Sequence, residues 1–292
     1  MEIIKTFGNY VEKWCENTPD RARWLLTKGW EAQDLKFRLA PSKKINPSDQ
    51  YLARMMMNVM LQPLKHPDQS VLVSVFTPCE LMQEAGLYPY NVESFSCYLT
   101  ASSAERAFLQ SAEDSGLSET LCSYHKTFIG AAEKGLLPKP KCMIYTNLAC
   151  DGNMMTFPYL RETYGIPGFY IDVPYEKNQE AIQYVAGQLR EMKRFLEEMT
   201  GKMISEEAVQ AAVSNSKKAA ANYQQQLALR KTHDPSTTLT NELYAIFMCH
   251  LLSGSETAVK YTQMLLDDVK KAPRSEGLHV LWMHIMPFLQ EP

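Results

Sequence analysis

The chain has 292 residues, of which 45% are hydrophobic and 22% charged, a balance typical of globular proteins that bury a sizeable core. Its formal net charge of −3 provides no overall attraction to nucleic acid or to an anionic membrane. No apolar run reaches the roughly 18 residues that a membrane-spanning helix needs, and the first residues lack the apolar core of a signal peptide. We therefore expect a cytoplasmic protein that binds neither nucleic acid nor membrane.

The first part of the sequence predicts helices followed by a strand. Residues 1–65 are typical of a helical segment, and the apolar, β-branched run 71–76 is typical of a buried parallel strand. The next residues have the pattern of a helix start, with Thr77 as N-cap and Glu80 closing a capping box. The predicted helix ends at Gly86.

Strands and helices then alternate. The sequence predicts strands over residues 91–98, 142–148 and 168–173, a helix from 119 to 134 capped by Ser118, and another that opens at Asp151. This alternation predicts an α/β fold, with a Rossmann-like parallel sheet and helices on both faces over residues 66–176. Ligands of such sheets bind beyond the carboxyl ends of the strands, where Cys150 and Asp172 are expected to lie.

The remaining sequence is mostly helical. Residues 177–274 predict a helical segment whose first helix has an apolar packing stripe from Ile182 to Met199. Residues 277–286 are typical of a new strand, so that 275–292 predict the start of a second α/β lobe. A βαβ unit needs about 30 residues in all, and we therefore expect this second lobe to be incomplete.

Two of the seven cysteines occupy positions suited to metal ligands. Cys122 lies near the start of a predicted helix and Cys150 at the end of a predicted strand, where backbone N–H groups and a helix dipole favour the thiolate. If both face one cleft, they predict a metal or cluster site; otherwise the chain is an α/β protein with scattered thiols. His125 forms a Cys-x-x-His pair with Cys122, but no second pair with zinc-like spacing accompanies it. The apolar surroundings of the other candidates predict core positions, namely Cys97, Cys142 and Cys249.

The motifs around these residues resemble a known family. The run from Phe76 to Pro89 is similar to the Pro-x-Glu-(Leu/Ile)-x-x-Ala-x-Gly-x-x-Pro signature of the 2-hydroxyacyl-CoA dehydratase and benzoyl-CoA reductase family. Cys122-Ser123-Tyr124 and Cys150-Asp151 resemble the next two signatures, and Ile171–Tyr175 resembles the strand that follows. The resemblance covers residues 65 to 200.

The resemblance implies two Rossmann-like lobes per subunit and a 4Fe-4S cluster held by three cysteines. Cys122 and Cys150 match the two ligands of the first lobe, and the third is expected beyond the end of this chain. Either the chain is truncated or the protein has lost its cluster chemistry; we favour truncation, because an unpaired final strand would expose a hydrophobic edge. Glu80 matches the signature glutamate and is a candidate catalytic residue, next to its predicted role as a helix cap.

The function implied by the resemblance is that of a lyase subunit, inactive if truncation removes the third ligand. Such a subunit belongs to an iron–sulfur radical dehydratase that converts (R)-2-hydroxyacyl-CoA to 2-enoyl-CoA. Its implied partners are a homologous subunit in a dimer, the acyl-CoA, and a separate ATP-dependent iron–sulfur activator that delivers one electron. No Gly-x-x-x-x-Gly-Lys-(Ser/Thr) motif occurs here, which fits an activator on another chain. The alternatives are a benzoyl-CoA-reductase-like or double-cubane reductase subunit, and a non-catalytic supporting subunit or fragment without a cluster.

Overall fold

The computed structural model describes residues 2–42, 45–278 and 280. The chain divides into two compact units. The sheet unit comprises Met1–Glu31, Val59–Thr77 and Ala85–Met203, and the helical unit comprises Ala32–Asn58, Pro78–Glu84 and Ile204–Pro292. The boundaries predicted from the sequence, at residues 65, 176 and 274, stay a prediction.

The sheet unit contains four parallel strands, which confirms the α/β class. In sheet order they are β2 (Tyr88–Asn91), β1 (Ser70–Val73), β3 (Cys142–Thr146) and β4 (Gly168–Ile171). All residues of β1 are buried, as expected of an inner strand in a sheet covered by helices. Because the strands are parallel, the segments that leave their carboxyl ends emerge at one edge of the sheet.

Helices make up most of the remaining described chain. The predicted N-terminal helices are confirmed as α1 (Glu2–Asn17), α2 (Pro19–Leu39) and α3 (Pro47–Lys65). The helices that follow are α4 (Val92–Ala101), α5 (Arg106–Asp114), α6 (Ser123–Glu133), α7 (Asn153–Tyr164), α8 (Gln179–Thr200), α9 (Glu206–Leu229), α10 (Leu239–Leu251) and α11 (Glu256–Lys271). In the described ranges, no helix is long and apolar enough to cross a bilayer.

Two predicted elements near the site are wrong. The predicted strand 91–98 is the start of α4, because the Asn91 side chain accepts a hydrogen bond from the Ser94 N–H at 2.8 Å and caps a helix. The predicted helix from Thr77 to Gly86 is a series of turns. The Thr77 hydroxyl bonds Ser74 Oγ at 2.9 Å, a contact that competes with the predicted capping role.

Two helix starts are also shifted from their predicted positions. Helix α6 begins at Ser123 rather than at residue 119, since the Ser118 hydroxyl accepts from the Thr120 N–H and forms a turn there. Gly152, rather than Asp151, occupies the N-cap position of α7.

The later helices follow the predicted signals more closely. Ser205 and Ser255 cap α9 and α11 with their hydroxyl groups, as expected of N-cap serines. The apolar stripe of α8 is a packing face only in its second half, where Met192 and Leu196 are buried, whereas Ile182 is 61% exposed. The predicted strand 277–286 lies mainly outside the described residues, and with it the predicted second lobe.

Helices α5 and α6 pack against each other with backbone contact. A Cβ atom added to Gly130 of α6 would lie 1.9 Å from the carbonyl oxygen of Phe108 in α5. No side chain fits in that space, so glycine permits the two helices to approach. This contact fixes the helix that begins directly after Cys122.

Candidate functional site

The candidate site lies in the sheet unit, where the segments after β2 and β3 approach the start of α6. β2 leads into Glu93, β3 leads through a loop to Cys150, and α6 presents Cys122 and His125. The sequence-predicted ligands Cys122 and Cys150 therefore lie on the same edge of the sheet. The 3.5 Å contact between Nε2 of His125, three residues after Cys122, and the Cys150 sulfur joins the two segments.

Cys122 is the more accessible of the two thiols. It is exposed and occupies the N-cap position of α6, with backbone angles of φ −50° and ψ 131°. A helix start presents backbone N–H groups that have no partner within the helix. The predicted position of Cys122 near a helix start is confirmed.

Cys150 is half-buried and is held by the turn between β3 and α7. The preceding residue, Ala149, has a φ of +70°, a left-handed conformation that few non-glycine residues adopt. Burial raises the pKa of the Cys150 thiol, and the nearby Glu93 carboxyl raises it further. Hydrogen bonds from the backbone at Gly152 and Asn153 act in the opposite direction and stabilise the thiolate.

The His125 side chain contacts the Cys150 sulfur. Its Nε2 lies 3.5 Å from the Cys150 sulfur, and its ring is only 1% exposed. Burial lowers the pKa of His125 to about 4, so that the imidazole is neutral at pH 7. Within the described chain, its Nδ1 has no hydrogen-bond partner.

Glu93 is a buried carboxyl group that the sequence analysis missed. It is 6% exposed, accepts a bond of 2.8 Å from Asn91 Nδ2, and accepts one of 3.3 Å from the Val75 N–H. Burial raises its pKa to about 7. The available signal was an acidic residue two positions after an asparagine N-cap, which the incorrect strand prediction concealed.

Glu80 belongs to the helical unit and has a structural partner there. The Ser216 hydroxyl donates to its Oε1 at 3.1 Å, and no α-helix starts at this position, so its predicted capping role is wrong. A catalytic role for Glu80 stays a prediction.

Asp172 follows β4 directly, at the carboxyl edge where the sequence placed it. Its carboxylate accepts hydrogen bonds from Asn147, Tyr170 and Tyr184.

The cysteines expected in the core differ from the site pair. Cys97 and Cys142 are buried, and burial raises the pKa of each thiol to about 12. Cys249 is half-buried. These surroundings favour neutral thiols over ligands.

The side chains at this edge of the sheet fit some of the ligands that a thiolate-bound metal group needs. Over residues 2–42, 45–278 and 280, no three His, Cys, Asp or Glu side chains are arranged to hold a metal ion. Two cysteines at one sheet edge, one exposed and one supported by backbone N–H groups, offer the soft sulfur donors that iron favours, and a cluster would need a further ligand.

Comparisons with known proteins point to one family. The profile described as 2-hydroxyglutaryl-CoA dehydratase, D-component, matches residues 74–291. The alpha subunit of (R)-phenyllactyl-CoA dehydratase from Clostridium sporogenes is 24% identical over 206 residues, which cover 66% of this chain and 50% of that protein. The chain thus spans about half the length of the curated relative that it matches.

Proposed function

This chain belongs to the 2-hydroxyglutaryl-CoA dehydratase D-component family, and from that membership we propose that it is a subunit of a lyase acting on 2-hydroxyacyl-CoA. The reaction removes water from the (R)-2-hydroxyacyl-CoA and yields the 2-enoyl-CoA. The observation that supports the proposal is the contact of His125, three residues after Cys122, with the Cys150 sulfur, which brings the segments of both cysteines to one sheet edge.

Cys122 and Cys150 would supply two thiolate ligands to a 4Fe-4S cluster, and a further ligand would come from another residue. When bound, such a cluster supplies one electron and an iron position open to a substrate oxygen. Three protein ligands leave that position free, which is the usual arrangement of catalytic metals.

The chain's own groups prepare the inner thiol for this role. The backbone N–H groups of Gly152 and Asn153 offset the effect of burial on the Cys150 thiol and hold its sulfur at the start of α7. The Glu93 carboxyl, with its pKa raised to about 7, is able to hold or release a proton beside this edge at neutral pH.

The proposed partners follow from the same family. A homologous subunit would complete the dimer, and a separate ATP-hydrolysing iron–sulfur protein would deliver the starting electron. The sequence carries no P-loop motif of its own, which supports an activator on another chain.

A second candidate is a non-catalytic supporting subunit. It is favoured by the finding that, among the residues described, no group of three or more His, Cys, Asp or Glu side chains is arranged to hold a metal ion. The two candidates differ in whether the chain retains iron.

The test is iron and acid-labile sulfide analysis of the full chain, purified without oxygen together with its partner subunit. Cys122→Ser and Cys150→Ser should each lose most of the iron, whereas Cys249→Ser, in the helical unit, should retain it. Equal iron in all three variants would remove the basis of the proposal. Formation of enoyl-CoA from the (R)-2-hydroxyacyl-CoA, with activator, ATP and a reductant, then distinguishes the dehydratase from a reductase that consumes reductant in stoichiometric amounts.

A further inference from the structure

We propose that His125 is a positioning residue, whose Nε2–H donates a hydrogen bond to the sulfur of Cys150 and orients this thiolate for ligation. The role in ligation rests on the proposed function, whereas the hydrogen bond itself does not. A histidine three residues after Cys122 thereby serves the other cysteine of the pair.

The first support is geometric. The 3.5 Å between Nε2 and the sulfur is a hydrogen-bonding distance for an atom as large as sulfur. Gly152 lies beside both atoms, and a Cβ atom there would be 3.3 Å from the sulfur and 3.3 Å from Nε2. The absent side chain leaves the imidazole and the thiol in direct contact.

The second support is the environment of the other ring nitrogen. Nδ1 is buried without a partner in the described part of the chain. A buried N–H group that lacks an acceptor is rarer and more costly than an unused acceptor. The proton of the neutral ring therefore belongs on Nε2, which faces the sulfur, and a thiolate or metal-bound sulfur can only accept.

The third support is the set of hydrogen-bond donors at the Cys150 sulfur. The backbone at Gly152 and Asn153 already hydrogen-bonds it, at the start of α7. The His125 ring on α6 adds a neutral donor from a second element. Donors and acceptors around metal ligands commonly fix the orientation of those ligands in this way.

The test compares two variants of similar length and shape. Gln at position 125 retains an N–H donor at about the reach of Nε2, whereas Met fills the space without one. In the metal-free full chain, His125→Met should slow the alkylation of Cys150 by iodoacetamide at pH 7.5 about tenfold, as expected for a thiol pKa one unit higher. His125→Gln should restore most of the rate, and Cys122, followed in the same sample by mass spectrometry, should react as in the wild type.

An unchanged Cys150 rate in His125→Met, or an equal loss in the Gln and Met variants, would overturn the inference. If His125→Met does not fold, as judged by circular dichroism, His125→Leu, which also lacks a donor, provides the same test. Its Cys150 should react about tenfold more slowly than in the wild type, and an unaltered rate would again overturn the inference.

Iron binding separates this inference from the proposed function. If the wild type binds iron and His125→Met shifts its reduction potential while His125→Gln does not, both hold. If the wild type binds no iron but the Cys150 alkylation rates are those expected above, the proposed cluster is refuted and the inferred hydrogen bond is supported. If all three proteins bind iron with the same reduction potential and the Cys150 alkylation rates are unchanged, only the inferred hydrogen bond is refuted.

Discussion

Replacing Glu93 by glutamine should remove a pH-dependent loss of stability from the sheet unit. Burial raises the pKa of this carboxyl from 4.5 to about 7, so between these pH values the folded chain keeps a proton that the unfolded chain has released. The free energy of unfolding therefore falls as the pH rises through this window. The difference of 2.5 units, from 7 minus 4.5, corresponds to about 3 kcal/mol at 1.36 kcal/mol per unit.

The assay is urea denaturation of the wild type and Glu93→Gln between pH 5 and pH 8. The glutamine oxygen can accept from Val75 or from Asn91 but not from both, which costs about 1 kcal/mol at every pH. On top of this constant cost, the difference in unfolding free energy should move by roughly 2 to 3 kcal/mol in favour of the variant from pH 5 to pH 8. His125, with its lowered pKa, contributes the opposite slope below pH 6.5, but equally in both proteins. A difference that stays constant across this range would refute the reasoning.

Two further predictions concern glycines. Gly130→Ala would place a methyl group 1.9 Å from the Phe108 carbonyl oxygen and should lower the free energy of unfolding by about 3 kcal/mol or more, measured in urea. Its control, Gly187→Ala in α8, meets no described atom within 4 Å and should stabilise by about 0.5 to 1 kcal/mol, so equal effects would contradict the packing argument. Gly152→Ala should reduce iron retention by displacing the Cys150 sulfur, with an unchanged circular dichroism spectrum; full retention would contradict the close contact at this position.

The elements predicted correctly are those whose signals are local. β1 follows from a short apolar, β-branched run, β3 and β4 follow from short, mainly apolar runs, and the serine caps of α9 and α11 are readable from a few neighbouring residues. Each of these signals acts within a few residues of the structure it specifies. Tertiary contacts therefore had little opportunity to override them.

The elements predicted wrongly depend on contacts between distant residues, or they lie where the spacing of apolar residues fits a strand as well as a helix. A short segment of mixed polar and apolar residues such as 91–98 does not distinguish a buried strand from a buried helix, and the asparagine cap decided between them. At Thr77, the hydroxyl also lies 3.4 Å from the Ile144 carbonyl oxygen, a partner 67 residues away. The spacing of residues in the sequence does not predict such a hydrogen bond.

The residues of the candidate site also divide into those with local sequence signals and those that depend on distant contacts. Cys122 and Cys150 were recognisable because each lies next to the end of an element and within a family signature. His125 and Glu93 acquire their properties only from burial, which brings residues from separate elements around them. Neither the unused nitrogen of His125 nor the raised pKa of Glu93 is visible before the chain folds.

The backbone contact at Gly130 also links the evolution of two helices. Since α6 cannot shift without moving α5, a larger residue at position 130 would have to be matched by a change in the path of α5. Such paired changes are rare, so α5 is constrained to follow α6 even though it carries none of the thiol chemistry. Among homologues, we expect drift in α5 to be limited to its outward face.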